Sequence, residues 1–456
     1  MNKINWFRRS KDSKDLLCVG ERVGYACSNT GLALTYILIL GFMSFYYTDV
    51  IGIPAGVVGT IIFVSRIFDG ISDLIMGAIV DKTKSRFGKA RPWLLAVAIP
   101  HAIACIAAFA VPSEWDGMQQ YIYIFVTYNL LNTVTYTICN VSITAANCLI
   151  TNSQEEHAKS GIWMQIGGSL GMLIVQYTCL SLVGKLGNTP SAWTTTVVIY
   201  SIIGAILMII SGIVIRERVV GTEDSMKDNE KITFMMRVKA LFKNRYWVIF
   251  TLVFLLFTIV EQGTFSGAVY YAQYIMGDAN TYATFSTVQT AVQVILLIIA
   301  MTYVLKKMGN VKCTIGCFVL TIIASIIQCF AWSMPVVIFC SILRGTSYAL
   351  FLGAQGAMMA DTCSYGSKLA GFGVEGIGNA GISFGYKCGT GIGMAIVGWI
   401  LQLSGYDGTL TTQAAGGIMG IKIIYLIMPI VISVVCIILL SFFDLYKKEA
   451  RGELEI

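Results

Sequence analysis

Charge is scarce in this 456-residue chain: 12% of its residues are Asp, Glu, Lys or Arg, about half the share of an ordinary soluble domain. Histidine is scarcer still, at two residues, so a His-based metal centre or a Ser/His/Asp arrangement is hard to supply. Neither a phosphate-binding Walker loop nor an HExxH helix occurs, which argues against ATP-driven and metallopeptidase chemistry. No polar domain is present. Residues 1–22 are polar and basic, without the short apolar core and small-residue cleavage site of a secretory leader, so the first span is expected to begin near Val23. The 13 cysteines form no CxxC pair and sit mostly in apolar runs, as at Cys105, Cys139, Cys317, Cys329 and Cys340. They read as reduced, buried small hydrophobes.

What the chain has in abundance is apolar sequence, 56% of it, in runs of the roughly 20 residues needed to cross a bilayer. The expected spans are 23–47, 53–80, 93–112, 120–150, 160–184 and 193–215, then 246–276, 281–305, 313–332, 335–360, 372–403 and 418–443. The fold class is therefore all-α integral membrane: an N-terminal bundle (1–216), a linker (217–245) and a C-terminal bundle with tail (246–456). Two six-span halves are the layout of the major facilitator superfamily, whose halves are parallel repeats. Lys and Arg crowd the N-terminal arm, 82–91, 216–245, 306–312 and 447–451, while Ser113–Gln120 and the segments near Asp278 and Ser333 are nearly free of them. Lys185 and Lys422 are exceptions. This alternation predicts both termini and the linker on the cytoplasmic side of the cell membrane. Basic groups spread over loops give no nucleic-acid face. A weak repeat links the basic, Gly-containing loops 81–91 and 306–312, and Ile232–Phe242 has the pattern of an amphipathic surface helix.

Ionisable groups at membrane depth each need an account. The second span carries Arg66, Asp69 and Asp73 at spacings of three and four, which puts them on one helical face. Two carboxylates against one cation leave about one negative charge over, which a bound Na⁺ or H⁺ would match, with the Ser72 hydroxyl as a further hard ligand. The competing reading is a cluster that only fixes helix packing, but a single Asp would suffice to neutralise Arg66. Lys387, in Phe384-Gly-Tyr-Lys-Cys-Gly, wants an anion: the span-two carboxylates, a substrate group, or an interface reached by snorkelling. Glu261 is read as a protonatable group or a helix-break contact. Arg344 is expected to meet carbonyls or a carboxylate, Glu375 to sit near a helix end, and His101, beside Pro100, to mark a kink.

Gly20-Glu-Arg-Val-Gly-Tyr25, Tyr46-Tyr-Thr-Asp-Val-Ile-Gly52, Arg66-Ile-Phe-Asp-Gly-Ile-Ser-Asp73 and Ser85-Arg-Phe-Gly-Lys-Ala-Arg-Pro-Trp93, with Ala360-Asp-Thr, Tyr365-Gly, Glu375-Gly and the Lys387 motif, resemble the glycoside–pentoside–hexuronide:cation symporters. The resemblance spans both halves. It implies a major-facilitator fold and sugar or uronide uptake coupled to Na⁺, H⁺ or Li⁺, with no other cofactor, a monomeric architecture and no chemistry on the substrate. The melibiose-permease branch implies a cation site at Asp69, Ser72, Asp73 and Thr137, Ser72 standing where that branch has Asn. Arg66 and Lys387 also match the family pattern, and with Glu261 form the expected charge network. For the substrate it points to Asn29, Asn140, Thr144, Trp163, Gln165 and Lys387. Here the match loosens: Ser28-Asn29 and Ala33 replace the family's span-one polar pattern, and Asn140 and Thr144 replace a galactoside-gripping Asp and an aromatic. Asn at 140 is similar to the glucuronide-permease branch, as are Leu403-Ser-Gly-Tyr406 and Met419-Gly-Ile-Lys422. An amide keeps hydrogen bonds without repelling an anionic sugar, so a uronide or glycoside conjugate is favoured. Competing readings are sugar exchange or uniport, a lysolipid carrier of the same fold, and a non-transporting membrane sensor. The retained Asp69–Ser72–Asp73–Thr137 set argues against the sensor, and Asn29, Asn132, Asn140 and Gln165 argue for a polar cavity.

Overall fold

The computed structural model describes residues 17–83, 85–112, 114–115, 117–151, 153–218, 234–299 and 303–446. The N-terminal arm, the middle of the expected linker and the C-terminal tail lie outside them. Secondary structure in the described residues is helical throughout. The chain divides into two compact units, Met1–Glu223 and Asp224–Ile456.

In the first unit the spans are α1 (Val19–Val50), α2 (Ala55–Lys82), α3 (Arg91–Ala108), α4 (117–148), α5 (Gln154–Lys185) and α6 (Pro190–Val214). The second holds α7 (Arg245–Tyr274), α8 (Thr281–Ile299), α9 (Asn310–Phe330), α10 (Met334–Ala370), α11 (Glu375–Leu403) and α12 (Ala415–Ser441). Ten of these are long and apolar enough to cross a membrane. Of the other two, α8 runs into residues that are not described, and α4 carries more Asn and Thr than its neighbours. A separate short helix, Phe234–Lys243, overlaps the expected amphipathic segment, and its Leu241 joins the core of the second unit.

Helix α6 shows why these elements are membrane spans. Ile199, Ile202, Ile206, Ile210 and Ile213 form an exposed stripe at spacings of three and four, while Thr196, Ser201 and Ser211 are buried. Such inverted amphipathy suits a lipid solvent; Thr196 Oγ1 donates to the Ala192 carbonyl at 2.8 Å. The helix begins at Thr189, whose side chain caps the Ala192 amide, with Pro190 in its first turn. The α1–α5 contact depends on glycine. A Cβ at Gly167 would fall 2.2 Å from the Ala26 carbonyl oxygen, so only a bare Cα allows the approach. Thr30 Oγ1 donates across it to the Gly167 carbonyl at 2.8 Å. In the second unit, α11 approaches α7 the same way at Gly389, 2.6 Å from the Leu255 carbonyl.

Helix α10 outruns the expected 335–360 because its last turns are polar but still helix-forming; it stops at Gly371, whose φ of 74° lies in the left-handed region. All 13 cysteines are free thiols. His101 bridges helices rather than merely marking a kink: its ring nitrogens lie 2.8 Å from Thr35 Oγ1 of α1 and 2.9 Å from Thr135 Oγ1 of α4.

Candidate functional site

The acidic face of α2 packs along α4. Both helices advance in the same direction through the contact: Ser65 meets Asn129, Asp69 meets Asn132 and Thr133, and Ser72 meets Thr137. In a regular α-helix, positions i and i+8 drift apart by about 80°. Residues Asn129–Tyr136 instead form π turns, whose extra residue per turn keeps Asn129, Thr133 and Thr137 closer to one line. Local π geometry recurs at functional positions in helices.

Asp69, 4% exposed, is the most heavily bonded group. Its Oδ2 accepts from Arg66 Nη1 at 3.2 Å and Asn132 Nδ2 at 2.5 Å, and its Oδ1 accepts from Thr133 Oγ1. Thr133 also lies 3.1 Å from Asn129 Oδ1, and Asn129 Nδ2 donates to Ser65 Oγ at 2.8 Å. A buried carboxyl group with one cation and two neutral donors around it is held in a fixed orientation. Its charge is matched within the protein by Arg66.

The second carboxylate, Asp73, is half-buried one turn further along the same face. Beside it in sequence, Ser72 Oγ donates to the Asp69 carbonyl at 2.9 Å and lies 3.2 Å from Thr137 Oγ1. The hydroxyls of Ser72 and Thr137 thus come together from two helices next to a carboxylate. Oxygen atoms of this kind are the ligands hard cations prefer. Asn132 Oδ1 is buried and meets no donor, a further acceptor on the same strip. Three participants were not anticipated from sequence: Ser65, Asn129 and Thr133. The signal was present as polar residues at three- and four-residue spacing along α4.

The expected substrate residues are less closely grouped. Asn29 of α1 donates from Nδ2 to the Met164 carbonyl of α5 at 2.9 Å, so its amide staples two helices. Trp163 and Gln165 flank Met164, about 200° apart around the helix, and leave it in nearly opposite directions. Met164 itself packs against core clusters that include Ile143 and Ala146 of α4. Thr144 is exposed and donates to the Asn140 carbonyl at 2.9 Å, while Asn140 is half-buried. In the second unit Lys387 is half-buried on α11, next to Tyr386, which stacks on Phe254 of α7 at 5.7 Å. Glu261 is half-buried on α7, which runs unbroken through it; a helix-break role therefore does not apply. Thr264 links the Glu261 carbonyl, at 3.0 Å, to the Tyr348 hydroxyl, at 3.1 Å.

A second charged cluster closes one end of the first unit. The Glu217 carboxylate accepts from the backbone N–H groups of Lys89, Ala90 and Arg91 at 2.6, 2.9 and 2.9 Å. Arg218 pairs with Glu21 at 2.5 Å, and Arg22 with Glu156 at 2.6 Å. These residues anchor the loop after α2 and the ends of α1 and α5.

The profile of the family described as MFS/sugar transport protein matches residues 24–447. The chain belongs to this family. It is 30% identical over 445 residues to the isoprimeverose transporter of Lactiplantibacillus pentosus, covering 96% of this chain and 91% of that one. It is 29% identical over 428 residues to the inner membrane symporter YicJ of Escherichia coli (strain K12), covering 91% and 89%. Its fold is similar to that of a point mutant of the nucleoside transporter NupG, with a TM-score of 0.71 at 14% identity, covering 93% and 99%. The MFS/sugar transport chain is thus a multi-pass membrane transporter of the major facilitator fold, and not an enzyme.

Proposed function

We propose that this transporter carries a sugar, glycoside or hexuronide by cation-coupled symport, with Asp73, Ser72 and Thr137 as direct cation ligands and Asp69 as the fixed anion behind them. The observation that supports it most is the division of labour between the two carboxylates. Asp69 pairs with Arg66 and is bonded on both oxygens, while Asp73 follows Ser72, whose hydroxyl lies 3.2 Å from that of Thr137. Na⁺, H⁺ or Li⁺ would supply the matching charge as a co-transported substrate. Occupancy there would favour the state that binds sugar, and the sugar would tighten cation binding by the same factor. In the second unit, Lys387 and Glu261 are the charged groups assigned a coupling role. The relatives named as symporters and as an isoprimeverose transporter support a saccharide-type substrate. Asn140, an amide with no charge to repel a uronate, favours a glucuronide-like member of that class. The protein acts as a monomer in the cell membrane with both termini cytoplasmic, as the Lys and Arg distribution of its loops suggests.

The test is uptake of labelled isoprimeverose, glucuronide, pentoside and galactoside into proteoliposomes, with and without Na⁺ or Li⁺ and with a pH gradient. Concentrative uptake of one of them should need one of these cations and be lost in Asp73→Asn. Cation-independent uptake, unaltered by that substitution, would defeat symport while leaving the transporter fold untouched.

A further inference from the structure

The second unit contains a buried cation that the transport reading does not use. Arg344 of α10 is 2% exposed. Its Nη2 donates to Ser325 Oγ of α9 at 3.3 Å and to the Tyr425 carbonyl of α12 at 3.1 Å, and its Cζ lies 4.2 Å over the Tyr425 ring. The backbone of α12 passes through a π turn at Ile423–Ile427, which disturbs the regular carbonyl pattern and leaves the Tyr425 oxygen available to Arg344. Those contacts use one nitrogen and one ring face. Arg344 Nε and Nη1 are buried and meet no acceptor.

The surroundings repeat the deficit. Gln328, on the same α9 face as Ser325, has both amide atoms buried without hydrogen-bond partners, as is the hydroxyl of Tyr271 on α7. Tyr271 stacks on Tyr425 at 4.4 Å and lies within electrostatic range of Arg344; the Gln328 amide lies beside Tyr425. The titratable side chains that α7, α9, α10 and α12 bring around Arg344 are Tyr271, Cys329, Cys340, Tyr348 and Tyr425, with the Glu261 carboxyl of α7 within electrostatic range of Tyr348, and α8 adds the ring of Phe285. Among the described residues, no carboxylate pairs with Arg344. A guanidinium cannot relieve the cost of burial by losing its proton, and an ion buried without a counter-charge is unfavourable.

We propose that Arg344, Gln328 and Tyr271 form a closed binding site for a small monoanion of halide size. Arg344 Nε and Nη1, Gln328 Nε2 and the Tyr271 hydroxyl are its donors. Water alone would satisfy the donors but not the charge. Size follows from closure: Ser325, Gln328 and Tyr271 are as buried as Arg344, which excludes a sugar acid. The anion is a structural partner that holds α9, α10 and α12 together, separate from the Asp73 strip of the first unit.

The experiment uses the full chain in lipid nanodiscs, first exchanged into gluconate, with chloride added at constant ionic strength and thermal unfolding as the readout. The midpoint should rise with the logarithm of chloride above its Kd. Arg344→Gln should abolish the response, and Gln328→Leu should weaken the apparent chloride affinity about tenfold. Should Arg344→Gln fail to fold, Gln328→Leu and Tyr271→Phe carry the test. Bromide in place of chloride should give anomalous density within hydrogen-bond distance of Nε and Nη1. A midpoint indifferent to chloride, an undiminished response in Gln328→Leu and Tyr271→Phe, or an equal response to acetate would each overturn the proposal.

Discussion

The two units treat buried charge differently. In the first, the buried carboxylates Asp69, Glu21 and Glu156 pair with Arg66, Arg218 and Arg22. In the second, Arg344 is buried as deeply and meets a carbonyl, a hydroxyl and a ring. A pair matched inside the protein fixes geometry without a ligand. A charge not so matched creates a demand that something bound can satisfy. By that reasoning Arg344, unlike Asp69, calls for a bound counter-ion, as proposed above.

The sharpest way to break this comparison is to neutralise one acid in each unit. Asp73→Asn is expected to lower cation-driven uptake by at least about 100-fold, the scale of losing a charge-stabilised ligand. Glu261→Gln should change it by less than about tenfold; the opposite ranking in a proteoliposome assay would move the cation site to the second unit. Asp69 tests the paired half of the argument. Asp69→Leu removes one member of a buried pair and should cost about 3–5 kcal/mol, whereas adding Arg66→Met should restore most of it. Chemical unfolding of the single and double variants measures both, and a double variant no more stable than the single would show that Asp69 acts independently of Arg66.

Much of this was readable from sequence because charge in a membrane is expensive and therefore informative. The spacing of Arg66, Asp69 and Asp73 already placed them on one face, and the helix spans followed from apolar runs. What escaped was neutral or geometric. Asn129 and Thr133 cost little in a span and so draw no attention alone; only their contacts to Asp69 and Ser65 give them a role. The π turns in α4 and α12 have no residue signature, yet they align Thr137 with Ser72 and present the Tyr425 carbonyl to Arg344. Sequence points to the substrate residues one at a time, and helical phase separates Trp163 from Gln165.

Glycine contacts extend the comparison from charge to packing. Gly167→Ala would set a Cβ 2.2 Å from the Ala26 carbonyl, against 2.6 Å from the Leu255 carbonyl for Gly389→Ala. Both obstacles are backbone, so the helices must separate, at about 1–3 kcal/mol. The first-unit substitution should cost more, because Thr30 also loses its bond to the Gly167 carbonyl. Thermal unfolding in nanodiscs ranks them, and equal losses would mean that α1 and α5 yield as easily as α7 and α11.

The smallest expected effect lies at Glu156, in the part of α5 that precedes its candidate span Lys159–Lys185. Burial alone would raise this carboxyl's pKa, but bonds from Arg22, Lys159 and the Leu17 N–H outweigh it and hold the pKa below the ordinary glutamate value. A folded-state pKa below the unfolded one means the contribution is fully present above about pH 4.3 and disappears as pH falls through the folded value. With Lys159 well exposed, screening limits it to about 1 kcal/mol. Glu156→Gln should therefore lower the unfolding midpoint at pH 7 and flatten its decline below about pH 4.3. Were the decline to stay as steep, the acid sensitivity would have to come from another group.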